Sequence, residues 1–534
     1  MYKKSRLFIF AIFFFALFFA ATFAQDNIPA TTIPTGIDPE TKKVIADYIR
    51  DTMQRKHIPG IAVGVVKGDK VIYTGYFGWA NIEQKKPVGE DTIFRIASIS
   101  KTITTVGLMQ QWEQKKFDLD DDVNKYFPEP MIIPPHPKEH PVTFRHLLTH
   151  TSGGGEFLSF RQAFAKGFGA LVEGEDYKPL AYYLRFKMRT KLDPGTTWAY
   201  SNYGFGFVGY ALECISGAPF HEYQKKNVFD RLGMVDATYH HNAAVLKRLA
   251  QGYMYKDGAF VPDPHKAMGI TPAGSVYMTL KDMSLYVIAL LNGGANQYGR
   301  VLKPETLELM FKTHYTLDDR QSGQGLAFFI HGNNMWGYRG MGHGGAMPFG
   351  FTSGMFFVHS EKLGVYLFCN LGADVAENTA WGVLKRVLKV NDKTPAIYPP
   401  DKSVYPQILG YYGPEFHDFK TNMRLYMKNI GAYKIIEING ELAIESTWQG
   451  EEKALKIHRV SADDPFFFWV ETKGSARDEL PSYVSFKKRS DGKFVMIPGG
   501  LNEYVKLEGF RKASAVTMTP LGRFIGKINP LAEF

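Results

Sequence analysis

Between Asn391 and Pro406 the chain carries four prolines, two of them adjacent at Pro399-Pro400, and no apolar periodicity. Proline fixes its own φ and donates no backbone hydrogen bond, so neither a helix interior nor a central strand runs through such a stretch. It reads as a linker, and two units are expected, residues 25–392 before it and 404–534 after it. The 534 residues suit that division, since domains of ~100–200 residues are usual and a single small module is excluded. Hydrophobic residues at 45% and charged residues at 22% exclude a largely disordered chain. With only two cysteines, Cys214 and Cys369, the chain has no disulfide framework and no Cys-rich metal site.

The first 24 residues have their own chemistry. Lys3, Lys4 and Arg6 precede an apolar run from Leu7 to Ala24 that ends Thr22-Phe23-Ala24, with small residues at the two positions a signal peptidase reads. Residues 1–24 are expected to be an export signal, and the protein to be periplasmic or secreted. The run is long for a signal core, so the alternative is an uncleaved membrane anchor formed by residues 7–24. Cations before the run place the rest of the chain outside the cytoplasm on either account. Removing the segment takes three positive charges from the formal +10 and leaves +7. The remaining basic residues are interleaved with acids, as in Asp318-Asp319-Arg320, so no nucleic-acid partner is expected.

In the first unit, residues 38–56 have an amphipathic helical pattern ending before Pro59-Gly60. Two β runs follow, Ile61 to Val66 and Val71 to Phe77, joined by a loop of hairpin length and composition. A helical pattern starts around Ser98 and continues to about Lys115. Helical segments and Gly/Pro/Asp-rich loops alternate from about 120 to 330. A second strand pair, Phe351 to Val358 and Gly364 to Phe368, precedes a closing helix over 374–390. Strands at both ends with helices between predict a mixed α/β (α+β) domain whose sheet is assembled from sequence-distant strands around a helical insert. After the linker, Asn439-Gly440 and Asp491-Gly492 each sit between β runs, a strong hairpin signal. The second unit is expected to be a small all-β domain, barrel or sandwich.

No G-x-S-x-G elbow, zinc helix or Walker A loop is present. Ser98-x-x-Lys101 is one of three Ser-x-x-Lys matches, the others starting at Ser485 and Ser490. On a helix, residues three apart share a face, whereas in a strand they point to opposite faces and a turn fixes neither. Only Ser98 lies at a predicted helix start, where its own N–H is free to receive an oxyanion. A serine hydroxyl needs a base in reach, and Lys101 would serve if burial or neighbouring positive charge lowers its pKa. Tyr200-Ser201-Asn202 follows the turn sequence Asp193-Pro194-Gly195. Tyr200 is a candidate proton carrier between serine and leaving group, and Asn202 a candidate to orient its partners. In Gly342-His343-Gly344-Gly345-Ala346 the glycines let an edge backbone approach a substrate, and Ala346 offers a second oxyanion N–H.

Ser98-x-x-Lys101, Tyr200-x-Asn202 and His343-x-Gly345, in this order and at these separations, resemble the penicillin-recognising serine hydrolases. The set is most similar to the branch with class C β-lactamases, low-molecular-weight penicillin-binding proteins, β-lactamase-like esterases and D-aminopeptidases. Ile58-Pro59-Gly60-Ile61-Ala62-Val63, the stretch from Arg145 to Gly153, and Pro272-Ala273-Gly274-Ser275 resemble that branch too. The resemblance covers roughly residues 38–390. It implies a β-lactamase/transpeptidase-like fold, with an antiparallel sheet flanked by helices and a helical subdomain, and an acyl-enzyme on Ser98. It also implies that Ser98, Lys101 and Tyr200 are catalytic, that Asn202, His343, Gly345 and Ala346 bind substrate, and that no metal or cofactor is required.

The third motif departs from the branch in carrying His343 where β-lactamases carry lysine. A histidine is only partly protonated near neutral pH, so weaker anchoring of a substrate carboxylate is expected. The expected function is therefore hydrolysis of an ester or amide, in the manner of an esterase or D-amino-acid amidase, on a small-molecule or peptide substrate. The alternatives are a D-Ala-D-Ala carboxypeptidase or class C-like β-lactamase and, in another class, a non-catalytic cell-wall peptide sensor. The sequence sets no oligomeric state. His146 and His150, spaced i and i+4 on an expected helix, lack a glutamate and a third ligand, so they are taken as structural. His240-His241 is expected to be an exposed loop pair. Ser152 is expected in a turn, both cysteines as buried thiols, and Phe466-Phe467-Phe468-Trp469 in the core of the second unit.

Overall fold

The computed structural model describes residues 29–34, 36–154, 177–332, 335–347, 350–372, 375–390, 395–414, 433–446, 454–471 and 482–508. The export signal expected over 1–24 lies outside these. Among the described residues no helix is long and apolar enough to cross a membrane.

Two strands explain the plan of the larger unit. Phe351–Val358 and Leu363–Cys369 are buried at every position, which requires cover on both faces of their sheet. Alternate side chains supply two cores. Met355, Phe357, Tyr366 and Phe368 face the helical subdomain, while Phe356, Val358, Val365 and Leu367 face the two terminal helices. Those helices are Pro39–Lys56, whose Asp38 side chain caps its first turn, and Ala376–Val387. Trp381 lies against Phe356 with ring centroids 3.8 Å apart, and truncating so large a buried ring to alanine costs about 3–5 kcal/mol.

The sheet has nine strands. Its order is Ala30–Pro34, Lys70–Asn81, Gly60–Lys67, Leu363–Cys369, Phe351–Val358, Gly340–Met347, Phe329–Ile330 and Gly323–Gln324, with Lys86–Pro87 pairing off the end of Lys70–Asn81. Every pairing in it is antiparallel. Ile61↔Cys369 and Val65↔Val365 show the join between the two ends of the unit. The fold is the mixed, helix-flanked antiparallel sheet expected, and the glycine-rich run Gly342 to Ala346 lies within one of its strands, Gly340–Met347. Its neighbour Phe329–Ile330 pairs only with Met341 and Gly342, so from His343 onward it is paired on one side.

The second unit is a closed barrel of eight strands from Gly410–Pro414 to Tyr504–Lys506. Closure comes from pairing its first and last strands, which decides between barrel and sandwich. Asn439 and Gly440 take φ of 53° and 84°, the positive pair a two-residue hairpin turn demands. The end of the expected linker is not featureless, because Tyr405–Ile408 is helical and Val404, Tyr405 and Ile408 are buried in the barrel core. Phe468 faces that core as well, whereas Phe467 packs under Arg320 of the larger unit.

Three smaller expectations change. His150 lies beyond helix Phe144–Leu148 with a φ of 58°, so it does not share a helical face with His146. His241 is buried and His240 half-buried, stacked on Tyr177 with centroids 3.9 Å apart, rather than exposed. Cys369 is buried but Cys214 only half so.

Candidate active site

Every residue from Thr92 to Gln111 is buried except Ser98. It sits in the 3-10 turn Ala97–Ile99, which feeds directly into helix Ser100–Glu113. Ala97 has a φ of 47°, a left-handed conformation that costs a residue with a Cβ roughly 1–2 kcal/mol. Its surroundings hold the turn in place. The Ile96 N–H donates to the Val276 carbonyl at 3.1 Å, Ser353 Oγ to the Ile96 carbonyl at 2.7 Å and Ser100 Oγ to the Ala97 carbonyl at 2.6 Å. The strained turn presents one hydroxyl outward from an otherwise closed interior.

Lys101, a helical turn further on, is fully buried. Its Nζ lies 3.0 Å from Ser98 Oγ, 2.6 Å from Asn202 Oδ1 and 2.7 Å from the Ala273 carbonyl. Asn202 Oδ1 and the carbonyl accept only, whereas a serine hydroxyl either accepts or donates. The set therefore satisfies an ammonium with three donors, and equally a neutral amine that spends two N–H groups on the fixed acceptors and turns its lone pair to the Ser98 O–H. A lysine that shuttles a proton to and from serine needs both states to be accommodated without rearrangement.

Tyr200 and Asn202 flank Ser201, whose side chain caps helix Asn202–Ser216 by accepting from the Gly204 N–H at 2.9 Å. Lys101 Nζ lies 4.8 Å from the centre of the Tyr200 ring. His150 packs on the same tyrosine, with ring centroids 4.3 Å apart. Its Nδ1 accepts from the Ser201 N–H and its carbonyl from the Ala199 N–H. Burial first, then the Lys101 charge, push the His150 imidazole well below the usual histidine range, which keeps it neutral.

On the Gly340–Met347 strand, Gly345 is pressed against the serine turn. A Cβ there would sit 2.5 Å from the Ile96 oxygen and 3.1 Å from Ala97 Cβ, so only glycine lets the strand pass. Ala346, the next residue, is exposed at the one-sided half of the strand. His343 is buried, its ring centroid 5.0 Å from that of Phe329 and 6.2 Å from that of Tyr200. Its Nδ1 contacts the Gly344 carbonyl, which only accepts, so Nδ1 carries the hydrogen and Nε2 is a bare acceptor without a partner among the described residues. Burial, then the Lys101 charge, push its pKa down to about 3. Partial protonation at neutral pH, expected from histidine in general, is replaced by a neutral ring.

The three motifs thus converge from a strained turn, a helix start and a half-edge strand. A family model described as Beta-lactamase matches residues 45–388. The chain belongs to the β-lactamase family. This β-lactamase-family chain is 27% identical over 392 residues to Beta-lactamase-like protein 4 of Dictyostelium discoideum, covering 68% of this chain and 67% of that one. The octameric penicillin-binding protein homologue from Pyrococcus abyssi shares the fold at a TM-score of 0.57 and 24% identity, over 87% of this chain and 99% of that one. A class C β-lactamase shares it at a TM-score of 0.54 and 22% identity, over 66% and 97%.

Two parts of the β-lactamase-family site escaped the sequence. The Ala273 carbonyl is a backbone acceptor that no side chain announces, although it lies in the Pro272–Ser275 stretch that resembles the branch. His150 had a signal in the stretch Arg145 to Gly153, but its spacing from His146 pointed to a helix face it does not occupy.

Proposed function

We propose that this protein is an exported serine hydrolase that forms an acyl-enzyme on Ser98 with an uncharged ester or amide. The supporting observation is the position of Lys101 Nζ, 3.0 Å from Ser98 Oγ and braced by Asn202 and Ala273. In this mechanism the Ser98 proton passes to Lys101 or Tyr200 as Oγ bonds to the substrate carbonyl carbon. The oxyanion is received by the N–H groups of Ser98 and Ala346. Collapse breaks the bond to the leaving group, which takes the proton. Water, losing a proton to the same base, attacks the acyl carbon and releases the acid, returning Ser98 to its hydroxyl form.

Preference for an uncharged substrate rests on His343. A buried neutral imidazole supplies no positive charge for a substrate carboxylate, where lysine would. The wall beside it is aromatic, from Tyr200, Phe329 and Trp198. Export through residues 1–24 belongs to the same proposal and is tested by N-terminal sequencing of the mature protein. A fluorophosphonate probe is expected to label the wild type, and Ser98→Ala to abolish both labelling and turnover of a p-nitrophenyl ester. Unchanged labelling in Ser98→Ala would place the nucleophile elsewhere. Labelling without turnover of any member of an ester, D-amino-acid amide and D-Ala-D-Ala panel would favour a binding protein.

A further inference from the structure

Arg95 is fully buried on the short strand Ile93–Arg95, three residues before Ser98. Its Nη1 donates to the Lys266 carbonyl at 2.6 Å, and its guanidinium lies 5.3 Å from the centre of the Tyr277 ring. Nε and Nη2 are buried with no hydrogen-bond partner among the described residues. A guanidinium taken out of water without a countercharge costs several kcal/mol, and each unsatisfied donor adds about 1–3 kcal/mol. Such a group persists in a native interior when something answers its charge.

The side chains around it do not. Tyr277 Oη lies 3.0 Å from His265 Nε2, and Tyr177 Oη 2.6 Å from His241 Nδ1, with the His241 and His265 rings 4.7 Å apart. Burial first, then the Arg95 charge, push the His265 pKa down to about 4, so its ring is neutral. The groups acting on Arg95 are the Tyr277 and Tyr177 phenols, neither of them an anion near pH 7. The two hydroxyls also bond to each other, so the described shell is a hydrogen-bonded chain of phenols and imidazoles beside one permanent cation, with no carboxylate bonded to that cation among the described residues. A structural ion pair would use aspartate or glutamate. Neutral donors around a lone guanidinium instead fit a small anion that arrives from solvent, because they stabilise it without repelling it.

We propose that Arg95, with the Tyr177 and Tyr277 hydroxyls, forms a buried binding site for a small monovalent anion of the halide class. The site lies apart from the Ser98–Lys101–Asn202 cluster in its contacts and does not depend on the hydrolase activity proposed above. Its place in the fold gives it a consequence. Arg95 pairs with Tyr277 in the strand ladder, and the next residue, Ile96, anchors the serine turn on Val276. An anion there ties down the segment that carries Ser98.

The test compares the wild type in sodium chloride, sodium bromide and sodium gluconate at equal ionic strength, about 0.15 M. Either halide is expected to raise Tm by roughly 2–4 °C over gluconate, and Arg95→Met to remove the difference. Crystals soaked in sodium bromide are expected to show an anomalous peak within hydrogen-bonding distance of Arg95 Nε and Nη2. Equal Tm in all three salts, a halide effect retained by Arg95→Met, or water or a carboxylate of the chain in place of bromide overturns the proposal. Should Arg95→Met fail to fold, the wild-type salt series and the bromide position still decide it.

Discussion

His150 holds the backbone on both sides of Tyr200: its carbonyl accepts the Ala199 N–H at 2.7 Å and its Nδ1 accepts the Ser201 N–H at 3.1 Å. The ring also lies against Tyr200. His150 therefore positions the Tyr200-x-Asn202 motif without needing a charge. Asparagine at this position keeps an acceptor near Nδ1, whereas phenylalanine keeps a ring and loses the acceptor. His150→Phe is expected to lower kcat on a p-nitrophenyl ester by about 10–100-fold, the scale of a misplacement near 1 Å, with a smaller change in KM. His150→Asn should recover part of the loss. Equal kinetics in the two variants, with circular dichroism unchanged, would remove the hydrogen bond from the account.

Neighbouring glycines in the third motif make a controlled pair. An added Cβ at Gly345 meets Ser353 Oγ first and then the Ile96 carbonyl and Ala97 Cβ, the last two fixed by the backbone of the serine turn. At Gly344 the nearest obstacle is the end of the Glu377 side chain, which has rotatable bonds of its own. Gly345→Ala is expected to cut fluorophosphonate labelling of Ser98 by at least about tenfold, the size of a partly lost oxyanion donor. Gly344→Ala should label within a few-fold of wild type, since the atom it meets is the end of a side chain and not the backbone of the serine turn. Probe kinetics on both variants distinguish a local displacement from general intolerance of the strand.

Features set by local chemistry were legible before the fold was known. Asn439-Gly440 and Asp491-Gly492 announce their hairpins because positive φ is demanded at the turn itself. The pairing of Ser98 with Lys101 follows from helical spacing. What failed depended on distant partners. Closure of the barrel joins strands separated by nearly the whole unit. His240 and His241 look like a polar loop pair until Tyr177, a distant residue, covers them.

Asp282, buried in the first turn of helix Leu280–Leu291, has an unpartnered Oδ2. Burial, then the charge of Asp236, push its pKa up to about 6 from 3.8. A raised carboxyl pKa favours the folded state while the group is protonated. That contribution is complete below about pH 4 and is lost as pH rises through about 6. Asp282→Asn imitates the protonated form and is expected to add about 2 kcal/mol of stability at pH 7.5, and close to none at pH 4. Urea unfolding at the two pH values reads the difference. A gain of equal size at both would assign the effect to packing rather than charge.

The segment that docks the barrel also reaches the wall of the candidate site. Leu317 N–H donates to the Gly500 carbonyl at 2.8 Å, and Gln321 Nε2 donates to Ser485 Oγ at 2.9 Å and the Ile497 carbonyl at 3.2 Å. Arg320 bridges Asp318 and Asp464 and covers Phe467. A few residues on, Gln324 Oε1 accepts from Trp198 Nε1 at 3.1 Å, and Phe329 packs on His343. Exposure decides which contact matters. The Arg320–Asp464 pair is partly open to solvent, so Asp464→Asn should cost no more than about 1 kcal/mol. Gln321 is buried, and its removal strands two barrel groups, at about 1–3 kcal/mol. Gln321→Ala is therefore expected to speed amide exchange over residues 314–330 and to raise KM for a bulky aromatic ester by a few-fold, with kcat on a small acetate ester nearly unchanged. Asp464→Asn should do little of either. Faster exchange confined to the barrel, with both esters hydrolysed as by the wild type, would separate the docking segment from the site.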